Sequence, residues 1–248
     1  MTDKFITLSA AALLAIVIGV MSWSDMHPQT AARQPAAGAA IVGYFADASA
    51  TPAMVPNDDR QITIAQGSFK YAANGQMTFT HQGMTPTAFA QRQVNILLQF
   101  DALPKNAEET FKKIKSLLED WKHAGNIVSA VFFDYRPPQP DLAAYAKFLQ
   151  DFRLFAVPDA YLLVPVVDLA WPAEVNLLAQ NGVPYFLADV TTPLPPFPHK
   201  FLLRIPAGVL VPDIQHAFFM GGLLTLDPHS PPPTQKDNIG VLPKFLRK

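Results

Sequence analysis

From residue 93 onward, short apolar runs alternate with segments whose apolar residues recur every three or four positions. "QVNILLQFD" (93–101) reads as a strand ending at an acid. The next segment puts Phe111, Ile114, Leu117, Leu118 and Trp121 on one helical face. Asn106 with Glu109 three positions later is a capping signature, and Gly125 ends the helix. "NIVSAVFFD" (126–134) is a second strand of this kind. Asp141 then caps a helix whose apolar face is Leu142, Tyr145, Phe148, Leu149 and Phe152. "AYLLVPVVDLAW" (160–171) is a third strand, Pro172 opens a short helix, and Gly182 closes it. "VPYFLAD" (183–189) and "KFLLRIP" (200–206) follow, and "AIVGYFAD" (40–47) stands upstream as a sixth strand.

Near-continuous apolar strands alternating with amphipathic helices predict an α/β chain with a parallel sheet covered by helices. Six strands fall short of eight, so the expected architecture is a small or incomplete (β/α) TIM-barrel-like domain. An open doubly wound sheet fits less well, because no glycine-rich turn follows any strand.

Two segments depart from this texture. "QITIAQGSFKYAANGQMTFT" (61–80) alternates apolar and polar residues around Asn74-Gly75, a strong hairpin turn. It reads as a β-hairpin insertion, a small meander within the larger domain. "HAFFMGGLLTL" (216–226) reads as a packed helix and turn, too short to span a bilayer.

The N-terminus adds a targeting element. Phe5 to Trp23 is an uncharged run of 19 residues, long enough for a membrane span. Its length favours an uncleaved signal anchor over a cleaved signal peptide, although "TAA" at 30–32 is an acceptable cleavage site. Either outcome places the rest of the chain outside the cytoplasm, anchored in the inner membrane or released to the periplasm. The domain plan is therefore an anchor at 1–24, an Ala- and Pro-rich tether at 25–40, the barrel at 41–226, and a Pro-rich tail at 227–248.

Composition narrows the chemistry. The net charge of −1 carries no field suited to nucleic acid. The absence of cysteine excludes disulfides, thiolate metal sites and cysteine nucleophiles. The six histidines show no ligand spacing, and no phosphate-binding loop or hydrolase motif is present, so no metal and no cofactor is expected.

What remains is a set of acids at strand ends: Asp47, Asp101, Asp134, Asp168 and Asp189. In parallel βα folds these ends converge on one rim, where ligands bind. A carboxylate is tolerated there because it meets water or a ligand, and is costly inside the sheet. Asp is also common where strands break, as a turn or helix cap. Asp134 stands out because Tyr135 and Arg136 extend the polar edge beside it. A pair such as Asp134 and Asp101 could act on a sugar bond, at about 5–5.5 Å for retention or about 6.5–9.5 Å for inversion. Tyr44, Tyr135 and Trp171 would offer flat faces to a sugar, with Arg136, Asp168 and Asp189 as polar contacts. Glu174, in the first turn of its helix, suits the helix dipole.

The stretch "VFFDYRPPQPDLAAYAKFLQDFR" (131–153) followed by "AYLLVPVVDLAW" resembles a bacterial family known as domain of unknown function 3142. Asp134, Tyr135, Leu142, Tyr145, Phe148, Leu149 and Trp171 carry the resemblance, which spans roughly residues 41–210. It implies a glycosidase-like (β/α) barrel and a carbohydrate-related role, with no assigned reaction. Arg136 stands where the family pattern has a second acid, which favours saccharide binding or a degenerate hydrolase over full activity. The alternative is a non-catalytic scaffold in envelope assembly, with the 61–80 hairpin as a docking edge.

Overall fold

A computed structural model describes residues 41–89, 91–135, 141–156, 161–167, 172–189, 198–207 and 218–229. The anchor and tether, Arg136, Asp168, Trp171 and the tail beyond residue 229 lie outside the described residues. Among the described residues no helix is long and apolar enough to cross a membrane.

Among the described residues nine strands form one sheet. They are β1 (Ile41–Ala46), β2 (Gln61–Tyr71), β3 (Met77–His81), β4 (Gln93–Phe100), β5 (Ile127–Tyr135), β6 (Leu162–Val167), β7 (Tyr185–Asp189), β8 (Lys200–Ile205) and β9 (Phe219–Thr225). Eight of them run parallel in the order β1-β2-β4-β5-β6-β7-β8-β9, and β9 pairs with β1 to close the ring. β3 is the ninth, antiparallel to β2 and outside the ring. The barrel is therefore complete, which corrects the expectation of a small or incomplete one.

Two misread segments account for the difference. Residues 61–71 are not an insertion: β2 is a barrel strand, paired with β1 over Gln61–Ile64 and with β4 over Ile62–Phe69. Only its upper part, Gly67–Tyr71, also forms the predicted hairpin with β3. Residues 219–225 are strand β9 rather than helix and turn. Gly222 fits there because a Cβ would come within 2.3 Å of Ile205 Cδ1 on the neighbouring strand.

The edge of β2 that faces β1 thus changes partner midway. The change occurs at a bulge between Ala65 and Gly67, where the extra residue, Gln66, leaves the ladder. Its side chain turns outward and ties the junction together. Gln66 Nε2 donates to Gln82 O at 3.0 Å and Met84 O at 3.2 Å, and it lies 2.8 Å from His81 Nε2. Its Oε1 accepts from the buried Trp121 indole. Gly83 completes the turn with φ +66°, and a Cβ there would meet Ala65 O at 2.5 Å.

Among the described residues three helices cover part of the barrel: α1 (Ala107–His123), α2 (Leu142–Phe155) and α3 (Pro172–Gln180). Their caps follow the sequence. Asn106 accepts from the amide of Glu108, and Asp141 accepts from that of Ala144 at 3.0 Å. Gly125 and Gly182 close α1 and α3 in left-handed geometry, with amides bonded back to Lys122 O and Ala179 O. Beneath the helices, Phe148 and Phe152 of α2 pack on Phe100 and Phe133 of the strands and on Phe111 of α1, with ring centroids 5.2–5.9 Å apart.

Strand alternation separates two cores. Outward residues join the helices in one cluster. Inward residues, including Val42, Ala65, Leu97, Phe132, Val164, Leu187, Leu202 and Leu223, fill the barrel as a second. Below this apolar middle lies a polar layer. Asn95 Nδ2 donates to Gln61 Oε1 and Thr63 Oγ1, and Gln93 donates to Ser129. Above it, at the C-terminal ends of the strands, the barrel opens.

Candidate functional site

The inward positions at the top of the strands include Phe45, Gln99, Asp134, Val166, Asp189, Arg204 and Thr225, read from the alternation that puts Leu97, Phe132, Val164, Leu187, Leu202 and Leu223 in the inner cluster. The lumen beneath them is closed by side chains, so any ligand must sit in the mouth rather than in a channel.

A cavity of ≈ 430 Å³ lies in this mouth. It is built by the ends of β1, β7, β8 and β9 and the residues just beyond them. Asp47, Asp189, Asp227, Arg204 and Ser49 supply its polar wall, and Phe45, Pro206, Ala207 and Leu226 its apolar wall. That mixture of one flat apolar surface with a few convergent polar groups is typical of small-ligand sites.

Each polar group has a structural reason for its place. Asp189 and Arg204 are directly opposite across the β7–β8 ladder. Arg204 Nε donates to Asp189 Oδ1 at 2.6 Å, so the acid carries a guanidinium beside it. The same guanidinium lies 4.9 Å from the centre of the Phe45 ring on β1. Asp47 follows β1, and its Oδ1 accepts from the Ser49 amide at 2.8 Å and the Ser49 hydroxyl at 2.6 Å. Asp227 follows β9 and accepts from the His229 amide at 2.9 Å. Because Phe45 pairs with Thr225, Asp47 and Asp227 extend adjacent strands at the same level.

Of the acids read from the sequence, Asp47 and Asp189 are brought to this cavity. Asp134 is 8% exposed, and across the ladders it faces Gln99 on β4 and Val166 on β6. Asp101 is exposed just beyond β4, with its amide bonded to Phe69 O. The residue directly opposite Asp134 is therefore an amide, and Asp101 is two positions further along.

The two tyrosines are not at the mouth. Tyr44 belongs to the outer cluster and is fully buried. Its hydroxyl donates to Asp58 Oδ2 at 2.7 Å, and Arg60 lies 4.5 Å over its ring. Burial, followed by the hydrogen bond to Asp58, pushes the Tyr44 phenol far above its ordinary value. Burial alone would raise the Asp58 carboxyl. Hydrogen bonds from Arg60 and Tyr44 outweigh it and hold the group below the usual range. Arg92 donates to Asp58 O and Pro56 O and pins the segment leading into β2. Tyr135 likewise faces outward, its ring 4.9 Å from that of Tyr145 on α2, and burial raises its phenol. The alternation explains both cases: each tyrosine is one residue out of phase with an inward neighbour.

The sequence reading missed Arg204, Phe45 and Asp227. The available signal was Arg204 itself, a charge on the inward parity of the apolar strand "KFLLRIP". Glu174 is buried in the first turn of α3. Among the described residues no three His, Cys, Asp or Glu side chains gather as a metal-ligand set. Compared with profiles of known protein families, with curated proteins and with solved structures, the chain finds no match in any of the three.

Proposed function

We propose that this protein binds a saccharide or similar polyol in the C-terminal mouth of its barrel. The observation that carries this reading is the cavity where Asp47, Asp189, Asp227 and Arg204 surround the apolar wall of Phe45 and Pro206. Carboxylates and a guanidinium match the donors and acceptors of sugar hydroxyls, and an aromatic or proline wall matches a sugar's apolar face. The resemblance of residues 131–171 to the glycosidase-like barrels of the domain of unknown function 3142 family points the same way. We place the domain in the bacterial envelope, held at the inner membrane by residues 1–24 or released to the periplasm. The uncharged run from Phe5 to Trp23 supports that placement.

Binding is the leading reading, with a degenerate or active hydrolase as its alternative. Hydrolysis needs two carboxyls facing one bond, and the ladder neighbours of Asp134 are Gln99 and Val166. Glycan-array binding by the full chain tests the reading, with Asp47→Asn as the mouth variant. Binding that weakens in the variant supports it, and an array without a single bound glycan ends it. One observation favours hydrolysis as a second reading: Asp134 is a buried carboxyl-bearing residue at the end of a barrel strand, on its inward face. Turnover of chromogenic glycosides that disappears in Asp134→Asn would establish it.

A further inference from the structure

Arg204 carries more hydrogen-bonding capacity than the described residues use. A guanidinium has five N–H donors in a planar fork. Among the described residues the hydrogen-bond partner of Arg204 is Asp189, engaged through Nε. The two terminal amino groups make no hydrogen bond to any described residue, and the side chain, 21% exposed, forms part of the cavity wall. It is also held in place. Asp189 fixes one edge, and the Phe45 ring supports one face. Little side-chain freedom is then lost when a ligand arrives.

A fixed guanidinium edge with open donors matches a carboxylate, which takes two parallel N–H···O bonds. The rest of the cavity selects among anions. Asp47, Asp189 and Asp227 line the same space, so a doubly charged phosphate meets more repulsion than a single carboxylate. Asp47 also offers an acceptor: Ser49 occupies its Oδ1, and its Oδ2 makes no hydrogen bond to any described residue. A ligand hydroxyl can donate there while the carboxylate rests on Arg204.

We infer that the ligand of this mouth is a sugar acid, a polyhydroxy monocarboxylate of the hexuronate class, with its carboxylate on Arg204 and a hydroxyl toward Asp47. The inference rests on the saccharide reading of the same cavity and names its substrate class.

The test uses the full chain and calorimetric titration near neutral pH with D-glucuronate, D-galacturonate, their methyl esters and D-glucose. Esters keep the shape and hydroxyls but remove the charge. At least one uronate should bind about tenfold or more tightly than its own ester and than glucose, as expected for a charge-assisted pair against a neutral one. Arg204→Gln should bring that ratio toward one, and Arg204→Lys, which keeps the charge without the fork, should fall between. Should Arg204→Gln fail to fold, the acid-against-ester comparison on the unaltered protein decides alone. If ester or glucose binds as tightly as the acid, the sugar-acid inference is wrong while the saccharide reading stands. If none of these sugars binds and the glycan array is also blank, both fall.

Discussion

Replacing Gln66 with leucine tests the account of how the barrel closes beside its hairpin. The substitution keeps the volume roughly constant and removes every polar contact of the side chain. Three groups then lose a partner at a cost: the Trp121 indole N–H, fully buried beneath α1, and the carbonyls of Gln82 and Met84, while the fourth, the exposed His81 ring, meets water instead. An orphaned buried N–H costs about 1–3 kcal/mol, and each lost neutral hydrogen bond about 0.5–1.5 kcal/mol. Burying leucine in place of an amide returns about 1 kcal/mol. The net loss is roughly 3 kcal/mol. For a domain of this size that is a fall in Tm of roughly 6–12 °C. Circular dichroism during thermal and urea unfolding measures it. A double-mutant cycle with Trp121→Phe separates the indole contribution, and the coupling should be about 1 kcal/mol or more. A loss below about 0.5 kcal/mol, the range of ordinary surface substitutions, would show that Gln66 does not hold the strand switch and would refute the reasoning.

Three further outcomes follow from the same structure. Asn95→Asp puts a carboxylate into the polar layer of the lumen, where Gln61 and Thr63 are its neighbours. Burial raises the folded-state pKa above its unfolded value of about 3.9, so stability is lost as pH rises through that value. The variant should be on the order of 3 kcal/mol less stable near pH 7 and close to the parent near pH 4, read from Tm at the two pH values. Asp58→Asn has the opposite profile. The Asp58 carboxyl sits below its ordinary 3.8, so its contribution is present above that pH and disappears as pH falls through the folded value. The Tm gap between parent and variant should narrow on acidification below about pH 4, and a gap that does not change with pH would contradict the Tyr44–Asp58–Arg60 assignment. Asp141→Ala removes the cap of α2 and should cost about 1 kcal/mol in urea unfolding, with saccharide binding at the mouth unaltered.

Local chemistry was legible in the chain. The caps at Asn106 and Asp141, the glycine stops at 125 and 182, and the hairpin turn at Asn74-Gly75 follow from nearest-neighbour backbone demands, and the structure has all of them. Parallel strands buried on both faces read as apolar runs because nothing polar can be satisfied there. That reasoning found β4 through β8 and β1. It failed at β2 for a physical reason. The inward residues Gln61 and Thr63 are polar because Asn95 satisfies them across the ladder, so a buried strand looked half-solvated. It failed at β9 because the pair Gly221-Gly222, of which Gly222 lies close against Ile205 and Gly221 has φ +133°, resembles a turn.

The sequence also determined that acids end the strands, since each acid is adjacent to an apolar run. Tertiary structure alone decided which of them meet. Ring closure brings β9 beside β1, residues almost 180 positions apart, and thereby joins Asp227 and Thr225 to Phe45 and Asp47. Strand parity then sorted the aromatics. A shift of one residue turns a side chain from mouth to helix layer, so Tyr44 and Tyr135 went outward while Phe45 and Asp134 went in. Pairing partners and register depend on the whole ring, and no local segment contains them.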